Sequence, residues 1–211
     1  PRIVNVGKST FLGFVSMGNQ NHEKRGEIRL AVYEKHYGRL QSKEMILDKP
    51  SNENEVSKFT NDHNSPAIIK LPSGRVLALW TLHGKENCFY TCEIDPNTRE
   101  LAGEKRAVSV GGGSRITYSN PIFLSSEGRL YNFFRGLDSS WKPSWVYSDD
   151  EGKSWSEGRV LIDVPGEIRR RPYVKYASDG KGVIHFFFTE DHPGSYQNNI
   201  YHMVYKSGIG L

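Results

Sequence analysis

Residues 65–84, SPAIIKLPSGRVLALWTLHG, read as an apolar strand, a turn built on Pro-Ser-Gly and a second apolar strand. The same order returns twice, as NPIFLSSEGRLYNFFRG at 120–136 and RPYVKYASDGKGVIHFFFTE at 171–190. The leading prolines Pro66, Pro121 and Pro172 recur at intervals of 55 and 51 residues. Further strand-like runs follow each unit: NCFYTCEI and KRAVSV after the first, KPSWVYS and RVLI after the second, NNIYHMVYK after the third. A period near ~50 residues with four short strands per unit is the arithmetic of a β-propeller blade. FLGFVSMG, EIRLAVYEK and KEMIL supply the later strands of an N-terminal unit.

The expected fold is therefore all-β, a β-propeller of four-stranded antiparallel blades. The chain holds about four of them, at 1–50, 51–112, 113–165 and 166–211, in a single domain. Four blades cut in this way leave an open edge, so the chain is expected to be part of a seven-bladed propeller whose remaining blades lie outside it. The start at Pro1 and the stop at Leu211 after a strand-like run fit that expectation.

YSDDEGKSW at 147–155 spaces Ser148, Asp150, Gly152 and Trp155 as Ser-x-Asp-x-Gly-x-x-Trp. This resembles the Asp-box of sialidase-like propellers. The chemistry suits a tight hairpin, because Asp150 can accept backbone N–H bonds, Gly152 tolerates positive φ and Trp155 packs between sheets. Its role is structural and carries no information about reaction type.

Composition excludes several classes. The 211 residues are 36% hydrophobic and 25% charged, enough for a core. The net charge of +4 suits an anionic partner, but basic and acidic residues alternate without a basic stripe, which argues against nucleic acid. No run approaches the ~18 apolar residues of a membrane span, and no signal peptide precedes the first strand. Cys88 and Cys92 lie four apart on one strand, roughly 13 Å by strand rise, too far for a disulfide, and read as half-buried core thiols. VGKST at 6–10 ends like a phosphate-binding loop, but Arg2 stands where that loop needs glycine.

Within a blade the innermost strand begins on the rim where the second strand ends. His63 precedes the first strand of its hairpin and His83 follows the second, so both belong to one rim near the axis. The position three before each repeat proline is His63, Tyr118 and Arg169. The ends of the second strands bring His83, Arg135 and the loop Thr189-Glu190-Asp191-His192. Asn64, Arg169 and His192 are expected to contact substrate beside them. A metal site on His63, His83 and His192 is a weaker alternative, since neither H-x-x-x-H nor C-x-x-C occurs; no G-x-S-x-G elbow supports a serine triad.

Histidine, tyrosine and arginine without a carboxylate pair disfavour ordinary glycoside hydrolysis, which needs two acids. They suit β-elimination from a uronic acid: a cation neutralises the carboxylate, a base takes the adjacent proton and an acid protonates the leaving oxygen. Arg135 fits the first role and the histidines or Tyr118 the other two.

The three repeat stretches resemble the BNR-4-type propellers, over roughly 61–205. Their best-understood members are ulvan lyases, which cleave rhamnose-uronate polysaccharides. The resemblance implies an active site at His63, His83, Tyr118 and Arg135, with Tyr173 completing it and Arg171 beside it. It implies an acidic polysaccharide as partner and no required cofactor; some such lyases carry a structural metal, whose ligands have no match here. Secretion or a periplasmic location is expected from the size of such a substrate. Two rivals stand beside this reading: a sialidase-type or rhamnosidase-type hydrolase, and a glycan-binding propeller without catalysis.

Overall fold

A computed structural model of the chain describes residues 2–18, 21–36, 39–112, 115–137, 141–164, 170–194 and 196–209. Its strands form four antiparallel sheets that succeed one another along the sequence, a propeller-like arrangement. The first sheet holds β1 (Ile3–Val6), β2 (Ser9–Val15), β3 (Ile28–His36) and β4 (Arg39–Asp48), in that order. The second holds β5 (Ala67–Lys70), β6 (Val76–Trp80) and β7 (Cys88–Asp95), with β8 (Glu100–Leu101) and β9 (Arg106–Ser109) on its outer edge. The third holds β10 (Thr117–Leu124), β11 (Arg129–Arg135), β12 (Pro143–Ser148) and β13 (Arg159–Val160); the fourth holds β14 (Val174–Ser178), β15 (Val183–Thr189) and β16 (Ile200–Lys206).

Alternation along the central strands fixes how the sheets stack. In β6, Val76, Ala78 and Trp80 join a core with Phe11, Ile28 and Leu30 of the first sheet. Leu77 and Leu79 point the other way and pack with Leu130, Phe134 and Val146 of the third. β11 repeats the device: Leu130 and Phe134 face the second sheet, whereas Tyr131 and Phe133 meet Ile184 and Phe186 of the fourth. A strand buried on both faces needs an almost unbroken apolar run, which VLALW supplies. Each fully buried side chain contributes about 1.5–3 kcal/mol. The stacking is close enough that a Cβ on Gly13 of β2 would lie 2.5 Å from the Pro66 carbonyl oxygen. The cysteines are unbonded; burial pushes the Cys92 thiol up to about 11.

Two edges depart from the expected four strands. The run at 105–110 forms β9, which pairs with Cys88–Thr91, while β8 takes the other end of β7 at Ile94 and Asp95. The fourth sheet has three strands among the described residues.

The Asp-box closes the β12–β13 turn. The Asp150 carboxylate accepts the backbone N–H and hydroxyl of Ser154 at 2.8 and 2.6 Å, and the Ser148 hydroxyl donates to it at 2.8 Å. Glu151 and Gly152 both take positive φ, at 58° and 87°. The Trp155 indole N–H bonds the Gly152 carbonyl at 3.1 Å, and its ring meets Phe89 edge-on at 5.1 Å. Arg106 bonds the Gly152 and Lys153 carbonyls, and Glu151 accepts from Ser73 N–H in the β5–β6 turn. The motif therefore ties the second and third sheets on the rim opposite His63.

Burial works against ionisation of Asp150, but the bonds from Ser154, Ser148 and the Lys153 backbone outweigh it and hold the carboxyl at about 2. A depressed carboxyl stabilises the fold above its unfolded value and loses that contribution as pH falls through the folded one. Asp150→Asn is expected to lower the unfolding free energy by roughly 1–2 kcal/mol at pH 7. In urea titrations repeated down to about pH 2, the gap between variant and parent should close as the native carboxyl protonates.

Candidate functional site

His63 sits in a 3-10 turn, Asp62–Asn64, capped by Asn61. The Asn61 Oδ1 accepts the His63 backbone N–H at 3.0 Å, which identifies that atom as the oxygen. The same oxygen lies 2.7 Å from His63 Nδ1, and Asp62 Oδ1 lies 2.8 Å from it. Both neighbours only accept, so Nδ1 carries the hydrogen and Nε2 of the neutral ring keeps its lone pair free.

His83 follows β6 and stacks on His63, ring centroids 4.5 Å apart. Its Nδ1 is hydrogen-bonded with the hydroxyl of Thr117, which is fully buried. Burial, then the neighbouring His63 and Arg135, push His83 below the ordinary histidine range. It is neutral at pH 7.

Tyr118 stands 5.4 Å from His63 and 5.8 Å from His83, between ring centroids. A register shift in β10 between Thr117 and Asn120 turns it out of the ladder, and it takes φ 67°. A non-glycine residue there stores backbone strain, a frequent mark of a functional position. Burial, then its contacts with Tyr173, push the phenol up to about 12, with Arg135 opposing them. Tyr118 is therefore a proton donor at neutral pH.

Arg135 ends β11 and is only 8% exposed. Its guanidinium lies 4.0 Å from the Tyr173 ring centroid, and its Nε donates to the Trp141 carbonyl at 3.4 Å. Among the described residues no carboxylate pairs with it. Tyr173 in turn meets His192 edge-on at 4.9 Å. A cavity of about 750 Å³ runs past His63, Tyr118, Arg135 and Tyr173, and Asp62 is the only acidic residue on its described wall.

The rim thus gathers His63, His83, Tyr118 and Arg135, with Tyr173 and His192 next in line, but neither His83 nor His192 is on the cavity wall. Asn64 requires correction. It is wholly buried, its amide N–H groups bond the Lys58 and Phe59 carbonyls at 3.1 and 3.0 Å, and its oxygen accepts the His83 backbone N–H at 2.7 Å. It joins the two histidine-bearing segments and has nothing left for a ligand. Arg171 is exposed and is not on the cavity wall; its backbone N–H bonds Asp191. Arg169 lies outside the described residues. Among those residues no three His, Cys, Asp or Glu side chains form a metal-holding group, which leaves the three-histidine alternative without geometric support. The sequence reading missed Arg2, Asp62 and Lys175 on the wall and Thr117 behind His83.

A sequence profile described as a BNR repeat-containing family member matches residues 17–209. The chain belongs to that family. A search of curated proteins finds no match. Among solved structures, this BNR repeat chain is similar to a polysaccharide lyase, an ulvan lyase bound to a GlcA(1-4)Rha3S repeat, with TM-score 0.67 and 11% identity over 100% of this chain and 52% of that one. It is also similar to a structure described as a glycoside hydrolase (TM-score 0.55, 14% identity, 99% of this chain and 46% of that one). A thermostable family-43 glycoside hydrolase gives TM-score 0.55 at 11% identity, over 99% of this chain and 74% of that one. The BNR chain spans about half the length of the ulvan lyase, and at these identities the likeness establishes the fold.

Asn64→Ala removes one acceptor and two donors from a buried site and is expected to cost about 2–4 kcal/mol in chemical denaturation. NMR titration of the parent should show the His83 imidazole protonating below the usual histidine range; titration within or above that range would contradict the electrostatics described here.

Proposed function

We propose that this BNR repeat chain forms the catalytic face of a polysaccharide lyase that cleaves a uronic-acid-containing, ulvan-like glycan by β-elimination. The observation that carries the reading is Arg135: a guanidinium nine-tenths buried, without a carboxylate partner among the described residues, beside a free imidazole nitrogen and a protonated phenol. Burying an unpaired charge is costly unless a ligand completes it. A sugar carboxylate is such a ligand, and its neutralisation makes the C5 proton more acidic.

In the proposed step His63 Nε2 takes the C5 proton, the C5–H electrons become the C4–C5 double bond, and the C4–O4 bond breaks. Tyr118 gives its proton to the departing O4. The residues end as imidazolium and phenolate, and transfer of the proton between them resets the site. Neutral His83 holds its place beside His63 without adding a second positive charge. Tyr173 keeps the Arg135 guanidinium in plane.

Asp62 as the only acid on the described wall speaks against the hydrolase reading, which needs two carboxylates about 5–9.5 Å apart. A polymer of this kind is degraded outside the cytoplasm, so the reading includes a secreted or periplasmic location. It also takes the exposed outer face of the fourth sheet, with Phe187 44% and Ile200 77% exposed, as the seat of a further blade.

The test is incubation of the full-length protein with uronate polysaccharides, following absorbance near ~235 nm, where the unsaturated product of this general acid–base chemistry absorbs. A rise is expected, and Tyr118→Phe and His63→Ala should each reduce it by about 100-fold or more. Arg135→Lys keeps the charge but loses the planar fork and should reduce kcat/KM by roughly tenfold or more. New reducing ends without absorbance would mean hydrolysis; binding with neither signal would mean a glycan-binding propeller.

A further inference from the structure

Besides Arg135 the cleft wall carries two further cations, Lys175 of the fourth sheet and Arg2 at the first. Arg2 immediately precedes β1, the innermost strand of the first sheet, on the rim that His63 and Tyr118 occupy in the next two. It lines the main cavity and also a side recess of about 140 Å³, bounded with it by His63, Ser65, Tyr118, Ser119 and Asn120. The recess is a fraction of the main cavity's size, room for a substituent on a sugar rather than for more polymer.

The donors in the recess are unevenly committed. The Ser65 hydroxyl donates to the Asp62 carbonyl at 2.7 Å, and the Asn120 Nδ2 to the Phe133 carbonyl at 3.1 Å. Ser119 Oγ only accepts, from Asn132 Nδ2 at 3.4 Å, so its O–H is available. Arg2 is exposed and, among the described residues, has no carboxylate partner. Arg135 thus comes from the third sheet and Arg2 from the start of the first, and His63, just before the second sheet, lies between them in sheet order. A ligand with a single carboxylate satisfies one of them.

We propose that Arg2 and the Ser119 hydroxyl form a second anion subsite, which takes an anionic substituent, sulfate or carboxylate, on the sugar adjoining the uronate held at Arg135. This rests on the lyase reading for the placement of that uronate. It makes Arg2 a specificity-determining residue: it selects polymers in which charge recurs on neighbouring sugars.

Calorimetric binding separates the two ideas. In the full-length Tyr118→Phe protein, which does not turn the ligand over, three oligosaccharides are compared: an alternating uronate with sulfate on the neighbouring sugar, the same ligand desulfated, and a uniform oligouronate. The sulfated or the uniformly carboxylated ligand should bind about tenfold tighter than the desulfated one, the scale of a charge-assisted contact. Whichever does so identifies the substituent. Adding Arg2→Gln should abolish that preference, and Arg2→Lys should restore part of it. A preference that survives Arg2→Gln, an equal loss on all three ligands, or no preference in the parent would overturn the subsite. Discrimination without elimination in the wild-type protein would leave the subsite standing and remove the lyase reading; elimination without discrimination would do the reverse.

Discussion

Two sheets in the middle of this chain bury both faces, and the rest of the structure follows from that constraint. Because side chains alternate along β6 and β11, one strand reaches two neighbouring cores, as Trp80 and Leu79 do in β6 and Phe134 and Phe133 in β11. Sheets locked face to face in this way keep their strand ends in common planes. The beginnings of β5 and β10 and the ends of β6 and β11 then share one rim. The Asp-box fastens the opposite rim with hydrogen bonds across the second and third sheets, so the site rim is left to irregular backbone. A 3-10 turn at His63, a bulge at Tyr118 and the loop holding His192 occupy it.

That rim concentrates costly arrangements. Tyr118 is held at positive φ, two imidazoles are stacked beside a buried guanidinium, and the charge of Arg135 has no protein counter-ion among the described residues. The backbone strain at Tyr118 is a local cost, and the buried charge of Arg135 is one that an anion would offset. The histidines share the load unequally. Asn61 and Asp62 set one tautomer of His63, while burial and neighbouring positive charge keep His83 neutral. Two rings of the same residue type thereby sit in different electrostatic surroundings, where environment rather than identity sets proton affinity.

Much of this was legible in the sequence because it was written in periods. The proline intervals mark the strand pairs, and the positions three before Pro66 and Pro121 are His63 and Tyr118, which the structure brings to within 5.4 Å of each other between ring centroids. The chemistry of Asn64 was not legible, since an asparagine beside a histidine looks the same whether it meets a ligand or ties two loops together; only its three buried bonds decide. Arg2 carries no flag, because the first sheet lacks the proline that marks the others. The division of the second sheet's edge between β8 and β9 was equally silent, because edge strands this short bury little and leave no alternation to read.

The claim on which the chemistry turns is that Arg135, His63 and Tyr118 break the glycosidic link without water. Digestion of a uronate polysaccharide in water enriched in heavy oxygen, followed by mass analysis of the fragments, measures this directly. Elimination gives a new non-reducing end lighter than a hydrolysed one by the mass of water, with no heavy oxygen incorporated during cleavage. Fragments of full hydrolytic mass carrying heavy oxygen at the broken bond would contradict the account.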